Sequence, residues 1–130
     1  MKTAHDLVEE AKQCISEISA SDVAMLIANQ DDVVLLDVRE PEEYAQGHLP
    51  GAINIPRGVL EFQVAGHPAL ACEPAAPELS QLERAICVYC RSGGRSALAA
   101  QTLGNMGFTR IKSIAGGFLD WQAHNLPVET

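Results

Sequence analysis

Apolar positions recur along the chain with two different periods, and the periods alternate. Leu7, Val8, Ala11 and Ile15 are spaced as on one face of a helix, which predicts a helix over residues 3–14. Ser19-Ala20-Ser21-Asp22 has the form of a capping box and opens a second helix carrying Val23, Leu26 and Ile27. Residues 33–38 break the period. Val33-Val34-Leu35-Leu36-Asp37-Val38 is nearly all apolar and is bounded by charged pairs, the pattern of a buried parallel strand. Pro41 suits the first turn of a short helix through Glu42, Glu43 and Tyr44. Residues 52–55 predict another strand, ended by Pro56.

Val59, Leu60 and Phe62 predict a helical turn. Residues 66–77 are proline-rich and read as a long surface excursion, of the kind that often carries function. Residues 78–84 predict a helix. A third clear strand covers Ala85-Ile86-Cys87-Val88-Tyr89-Cys90. A helix over residues 96–106 follows, with Leu98, Ala99, Thr102 and Leu103 inward and Gly107 as its stop. Residues 111–114 predict a strand, Gly116-Gly117 a turn, and Phe118 to Gln122 a last helix with Pro127 beyond it. Strands alternating with helices predict an α/β fold around a mostly parallel sheet.

Composition changes this picture little. The chain has 130 residues, 47% of them apolar, enough for one domain with one core. The formal net charge of −8 argues against nucleic acid as a partner, which needs basic surface. The first ten residues lack an apolar leader and no stretch reaches membrane-spanning length, so a cytoplasmic location is expected. Cys14, Cys72, Cys87 and Cys90 are accordingly read as thiols.

The chemistry concentrates at Cys90-Arg91-Ser92-Gly93-Gly94-Arg95. A buried strand ends at Cys90 and a helix begins near Ser96. In parallel α/β sheets, sites lie at the carboxyl ends of strands. A helix start presents free amides and a positive dipole end. Gly93 and Gly94 permit the close backbone approach that aims those amides at the sulfur. Arg91 and Arg95 add positive charge to an otherwise acidic chain. All of this favours thiolate, the nucleophilic form, and suits an anionic persulfide or an oxyanion donor.

With those residues in view, the chain resembles the single-domain rhodaneses. Leu36-Asp37-Val38-Arg39-Glu40, Glu43-Tyr44, Gly47-His48-Leu49-Pro50-Gly51-Ala52 and Asn54-Ile55-Pro56 are similar to the family's first signature. Cys90 to Ser96 is similar to its active-site loop, and Gly116-Gly117 with Trp121 to its C-terminal signature. The resemblance runs over residues 18–128. It implies a five-stranded, rhodanese-like sheet flanked by helices over residues 18–130; the N-terminal helical extension over residues 1–17, read from its apolar spacing, is less typical of the family. It also implies a sulfurtransferase in which Cys90 takes sulfane sulfur from thiosulfate or a persulfide and passes it to a thiol, cyanide or protein acceptor. Arg91 and Arg95 would bind the donor anion, and the amides of Ser92, Gly93, Gly94, Arg95 and Ser96 would hold the persulfide. No metal or organic cofactor is implied.

Two alternatives stand beside this reading. One is a persulfide carrier or docking module without turnover. The other is a phosphatase or arsenate reductase on the same fold, whose cysteine-to-arginine loop is longer than the six residues from Cys90 to Arg95. Cys87 and Cys90 form a C-x-x-C, but three residues along a strand separate α-carbons by about 10 Å. A disulfide needs less than about 7 Å, so Cys87 is read as core. Cys72 is read first as an uninvolved surface thiol and second as a resolving thiol, should its loop cover Cys90. Asp37 is expected to bond loop amides or Arg39, and Arg39 to pair with Glu43. His48 is expected to bond within its turn, Arg57 to lie near the anion site or in solvent, and Trp121 to anchor the core.

Overall fold

The computed structural model describes residues 1–70 and 82–130. Helix α1 (Ala4–Lys12) opens on a full capping box: Thr3 Oγ1 accepts from Asp6 N, and Thr3 N donates to Asp6 Oδ2 at 2.9 Å. Strand β1 (Ser16–Ile18) follows, then helix α2 (Ala20–Ala28). At α2 only half of the predicted box forms. Ser19 Oγ accepts from Asp22 N at 3.1 Å, and no return bond from Asp22 accompanies it. Strand β2 (Val34–Asp37), helix α3 (Pro41–Gln46) and the two-residue strand β3 (Ile53–Asn54) come next. A 3-10 turn (Arg57–Val59) runs into the short helix α4 (Leu60–Gln63). Strand β4 (Ala85–Tyr89), helix α5 (Gly94–Asn105), strand β5 (Arg110–Ile114) and helix α6 (Gly117–Ala123) complete the order.

The strands form one sheet in the order β1-β5-β4-β2-β3, and every pairing is parallel. The expectation of a mostly parallel sheet is thus met in full. Strand β1 was not visible as a period in the sequence, because only Ile18 of its three residues is even half-buried. The helix predicted over residues 78–84 lies mainly outside the described residues, and residues 82–84 are a turn and bend. Cys72 and most of the predicted excursion also lie outside them.

Alternation along β2 and β4 sorts the core into two layers. Leu36, Ile86, Val88 and Cys90 face one side, with Leu60 from α4 and Ala99, Ala100 and Leu103 from α5. Leu35, Cys87 and Tyr89 face the other, with Val23 from α2 and Phe118 and Trp121 from α6. The inward face of α5 is Ser96, Ala97, Ala99, Ala100 and Leu103, while Leu98 and Thr102 are half-buried. Helix α1 packs along α5 from outside, and its Ala11 is fully buried. No helix among the described residues is long and apolar enough to cross a membrane.

Candidate active site

Cys90 is the first residue past β4, and its side chain is 1% exposed. Helix α5 has Gly93 at its N-cap, in the left-handed region at φ 114°. A glycine cap supplies no oxygen for the free amides of the first turn. The sulfur of Cys90 takes that place. Gly93 N donates to Cys90 Sγ at 3.1 Å, and Ser96 N, in the third helical position, donates at 3.4 Å. The amide end of a twelve-residue helix thus ends on this sulfur, with the positive end of the helix dipole beside it. The amides of Arg91, Ser92, Gly94 and Arg95 have no protein acceptor among the described residues.

Behind the sulfur lies a hydroxyl relay. Ser96 Oγ is 3.6 Å from Cys90 Sγ, 3.2 Å from Gly93 O and 2.9 Å from Ser113 Oγ. Both serines are fully buried. Ser113 was missed in the sequence. Its signal was period-two alternation in β5: Ile111 and Ser113 share a side, so a polar residue stands where the pattern calls for an apolar one.

The two arginines of the loop differ. Arg91 and Ser92 are exposed. Arg95 is bidentate on Glu43 of α3, at 2.8 and 3.1 Å. That bond holds the Glu43 carboxyl down at about 2. The expected Arg39–Glu43 pair therefore does not form. Arg39 turns back instead onto Asp37, with Nη2–Oδ2 at 2.8 Å and both side chains buried. Arg39 N also donates to Asp37 Oδ1 at 2.8 Å, and Nη2 donates to Gly47 O at 2.6 Å. The guanidinium lies 4.3 Å from the centroid of the Phe118 ring. Asp37 is scaffold and does not touch the loop amides.

The remaining candidates fall away from the sulfur. Cys87 lies in the opposite core layer, and burial pushes its thiol up to about 11. His48 Nδ1 donates to Leu49 O at 2.9 Å, as a turn residue would, and its ring stacks on Tyr44. Arg57 reaches Glu61 and Thr102 rather than the loop. Trp121 is 1% exposed and donates to Pro127 O at 2.7 Å. A cavity of about 600 Å³ opens at the other end of the sheet, lined by Ile18, Leu26, Asp31, Cys87 and Lys112.

The chain is similar to known proteins over most of its length. A family profile for the rhodanese-like domain matches residues 19–124. A sulfurtransferase of Allochromatium vinosum is 31% identical over 88% of this chain and 94% of its own length. The human thiosulfate:glutathione sulfurtransferase is 35% identical over 67% of this chain and 76% of its own. Among solved structures, a protein of unknown function from Rhodopseudomonas palustris, described as a possible tyrosine phosphatase, superposes with TM-score 0.83 at 32% identity. It covers 99% of this chain and is itself 96% covered.

Proposed function

The chain belongs to the rhodanese-like domain family, and on that premise we propose that it is a sulfurtransferase working through a persulfide on Cys90. The observation that carries this reading is the pair of amides, from Gly93 and Ser96, that donate to Cys90 Sγ. Amide donors without counter-charge suit a thiolate, and a thiolate is the form that attacks sulfur.

In the first half-reaction the Cys90 thiolate attacks the sulfane sulfur of the donor. A sulfur–sulfur bond forms at Cys90 and the donor's own sulfur–sulfur bond breaks. With thiosulfate, sulfite leaves with the electron pair; with a persulfide, a thiolate leaves. The outer sulfur on Cys90 then carries the negative charge. The uncommitted amides of Arg91, Ser92, Gly94 and Arg95 are the groups for it, and Arg91 is the exposed cation beside the path of the donor anion. In the second half-reaction a thiolate or cyanide attacks the outer sulfur and Cys90 leaves as thiolate. Electrons balance within the two steps, and no external oxidant or reductant is needed. Human thiosulfate:glutathione sulfurtransferase, by its name, pairs one such donor with one such acceptor.

The likeness to a possible tyrosine phosphatase favours examining phosphoryl transfer as a second reading. Two features weigh against it. The cysteine-to-arginine loop is only six residues, and Arg95, the arginine that would face a phosphoryl group, is bidentate on Glu43. The test is to assay thiosulfate:cyanide, thiosulfate:glutathione and aryl phosphate turnover with wild type and Cys90→Ser. Sulfur transfer lost in the variant supports the proposal. Sulfur transfer retained by Cys90→Ser, or aryl phosphate hydrolysis alone, would overturn it. A stable persulfide without turnover would make the chain a carrier.

A further inference from the structure

The Cys90 loop is held from outside by the last helix. Phe118 N donates to Cys90 O at 2.8 Å and Leu119 N donates to Arg91 O at 3.0 Å. So close an approach is possible because residue 117 has no side chain. Gly117 has φ +58°, and a β-carbon there would stand 2.5 Å from Cys90 O, 2.7 Å from Arg91 O and 2.8 Å from the Arg91 carbonyl carbon. All three are backbone atoms, so no rotamer change relieves the clash. Helix α6 cannot simply retreat. Its Phe118 ring lies under the Arg39 guanidinium, and its Trp121 is buried and bonded to Pro127 O.

The two bonds have a geometric consequence. A trans peptide points its carbonyl and its N–H in opposite directions, and no peptide bond among the described residues is cis. Drawing Cys90 O and Arg91 O onto α6 therefore turns the N–H groups of Arg91 and Ser92 away from α6. Neither amide has an acceptor among the described residues. The division of labour is then plain. Gly93 N and Ser96 N serve Cys90 Sγ, and the amides of Arg91 and Ser92 are left for whatever is bound to that sulfur.

We infer that Gly117 is a positioning residue for the Cys90 loop: it admits the α6 backbone to Cys90 O and Arg91 O, which fixes two peptide planes with their N–H groups turned toward a persulfide. This rests on the proposal that Cys90 carries sulfur. The role is indirect, because the atoms nearest a β-carbon at residue 117 are loop backbone, Cys90 O and the Arg91 carbonyl.

The test uses the full chain with Gly117→Ala, and Leu119→Pro as a second variant. The proline removes the amide that serves Arg91 O and sets a ring carbon against that oxygen, in the first turn of α6, where the lost N–H is not part of the helix's own ladder. Transfer from thiosulfate to cyanide should fall about 10–100-fold in both, the scale of misplacing a reacting group by about an ångström. Loss of fold would also lower the rate, so the deciding readout is the amide proton shifts of Arg91 and Ser92 by NMR. In wild type both should move on loading with sulfur. In folded variants the movement should be absent or much reduced. If Gly117→Ala does not fold, Leu119→Pro decides alone. Folded variants with wild-type rates and wild-type shifts would overturn the positioning role and leave the sulfurtransferase proposal standing. A wild type that takes no sulfur on Cys90 would instead overturn that proposal, and the role of Gly117 with it.

Discussion

Asp37 is wholly removed from water, and Arg39 nearly so. Charges in that position are tolerable only when each lone pair and proton is matched, and here the carboxylate accepts from the Arg39 backbone amide, Nε and Nη2. Removing one partner strands the other. Asp37→Ala is therefore expected to destabilise the protein by about 3–5 kcal/mol, measured by urea unfolding at neutral pH. A loss near zero would show that Arg39 finds water or another acid when Asp37 is gone. At this scale the sequence was legible where chemistry forced a residue type and illegible where only packing chose a partner. Cys90 stood out because a strand end, two glycines and two arginines surround it. Arg39 has Glu43 four residues on, the spacing of a helical ion pair, but it precedes α3. Its side chain folds back into the core, where the nearest acid is Asp37. Ser113 carried a signal, a polar residue at an inward position of β5, but its partner emerges only once the parallel register sets β5 beside β4.

Among the elements, α3 and the first turn of α5 are tied by a single ion pair, Glu43 with Arg95. The Glu43 carboxyl falls from an ordinary value of 4.5 to about 2, chiefly through its hydrogen bonds from Arg95. A depressed carboxyl stabilises the fold at pH above its unfolded value and loses that contribution as pH falls toward the folded one. The Tm gap between wild type and Glu43→Gln should therefore be largest above about pH 5 and close between pH 4.5 and 2. Both side chains are about a third exposed, so the corresponding difference in unfolding free energy at neutral pH should stay under about 1 kcal/mol. A gap independent of pH would show that the ion pair contributes nothing to stability. Element boundaries follow the same physics. Helix α5 starts at Gly94, two residues before the predicted start, because the Cys90 sulfur stands in for a missing capping side chain. Strand β1 escaped notice because Ser16 and Glu17 are exposed and three residues are too few to show alternation. It is recognisable only from its pairing with β5. The predicted strand over residues 52–55 shrinks to Ile53–Asn54 at the sheet's edge.

Across the whole molecule, the sheet order places β4 at its centre, so the chain leaving β4 emerges with covered flanks on both sides. Helices α5 and α6 then converge on that exit from the two faces of the sheet, one through its amide end on the sulfur and the other through its amides on the loop carbonyls. Helix α1 adds a third contact. Its Val8 Cγ2 lies 3.6 Å from where a Gly94 β-carbon would stand, so the segment before the family match at residue 19 reaches the first turn of α5. The central claim is that this convergence makes Cys90 a carrier of transferable sulfur. The most direct test is the intact mass of the protein after incubation with thiosulfate, beside Cys90→Ala. The account predicts a gain of one sulfur atom in wild type, absent from the variant and removed by cyanide. The same gain in Cys90→Ala, or no gain in wild type with either thiosulfate or glutathione persulfide, would contradict it.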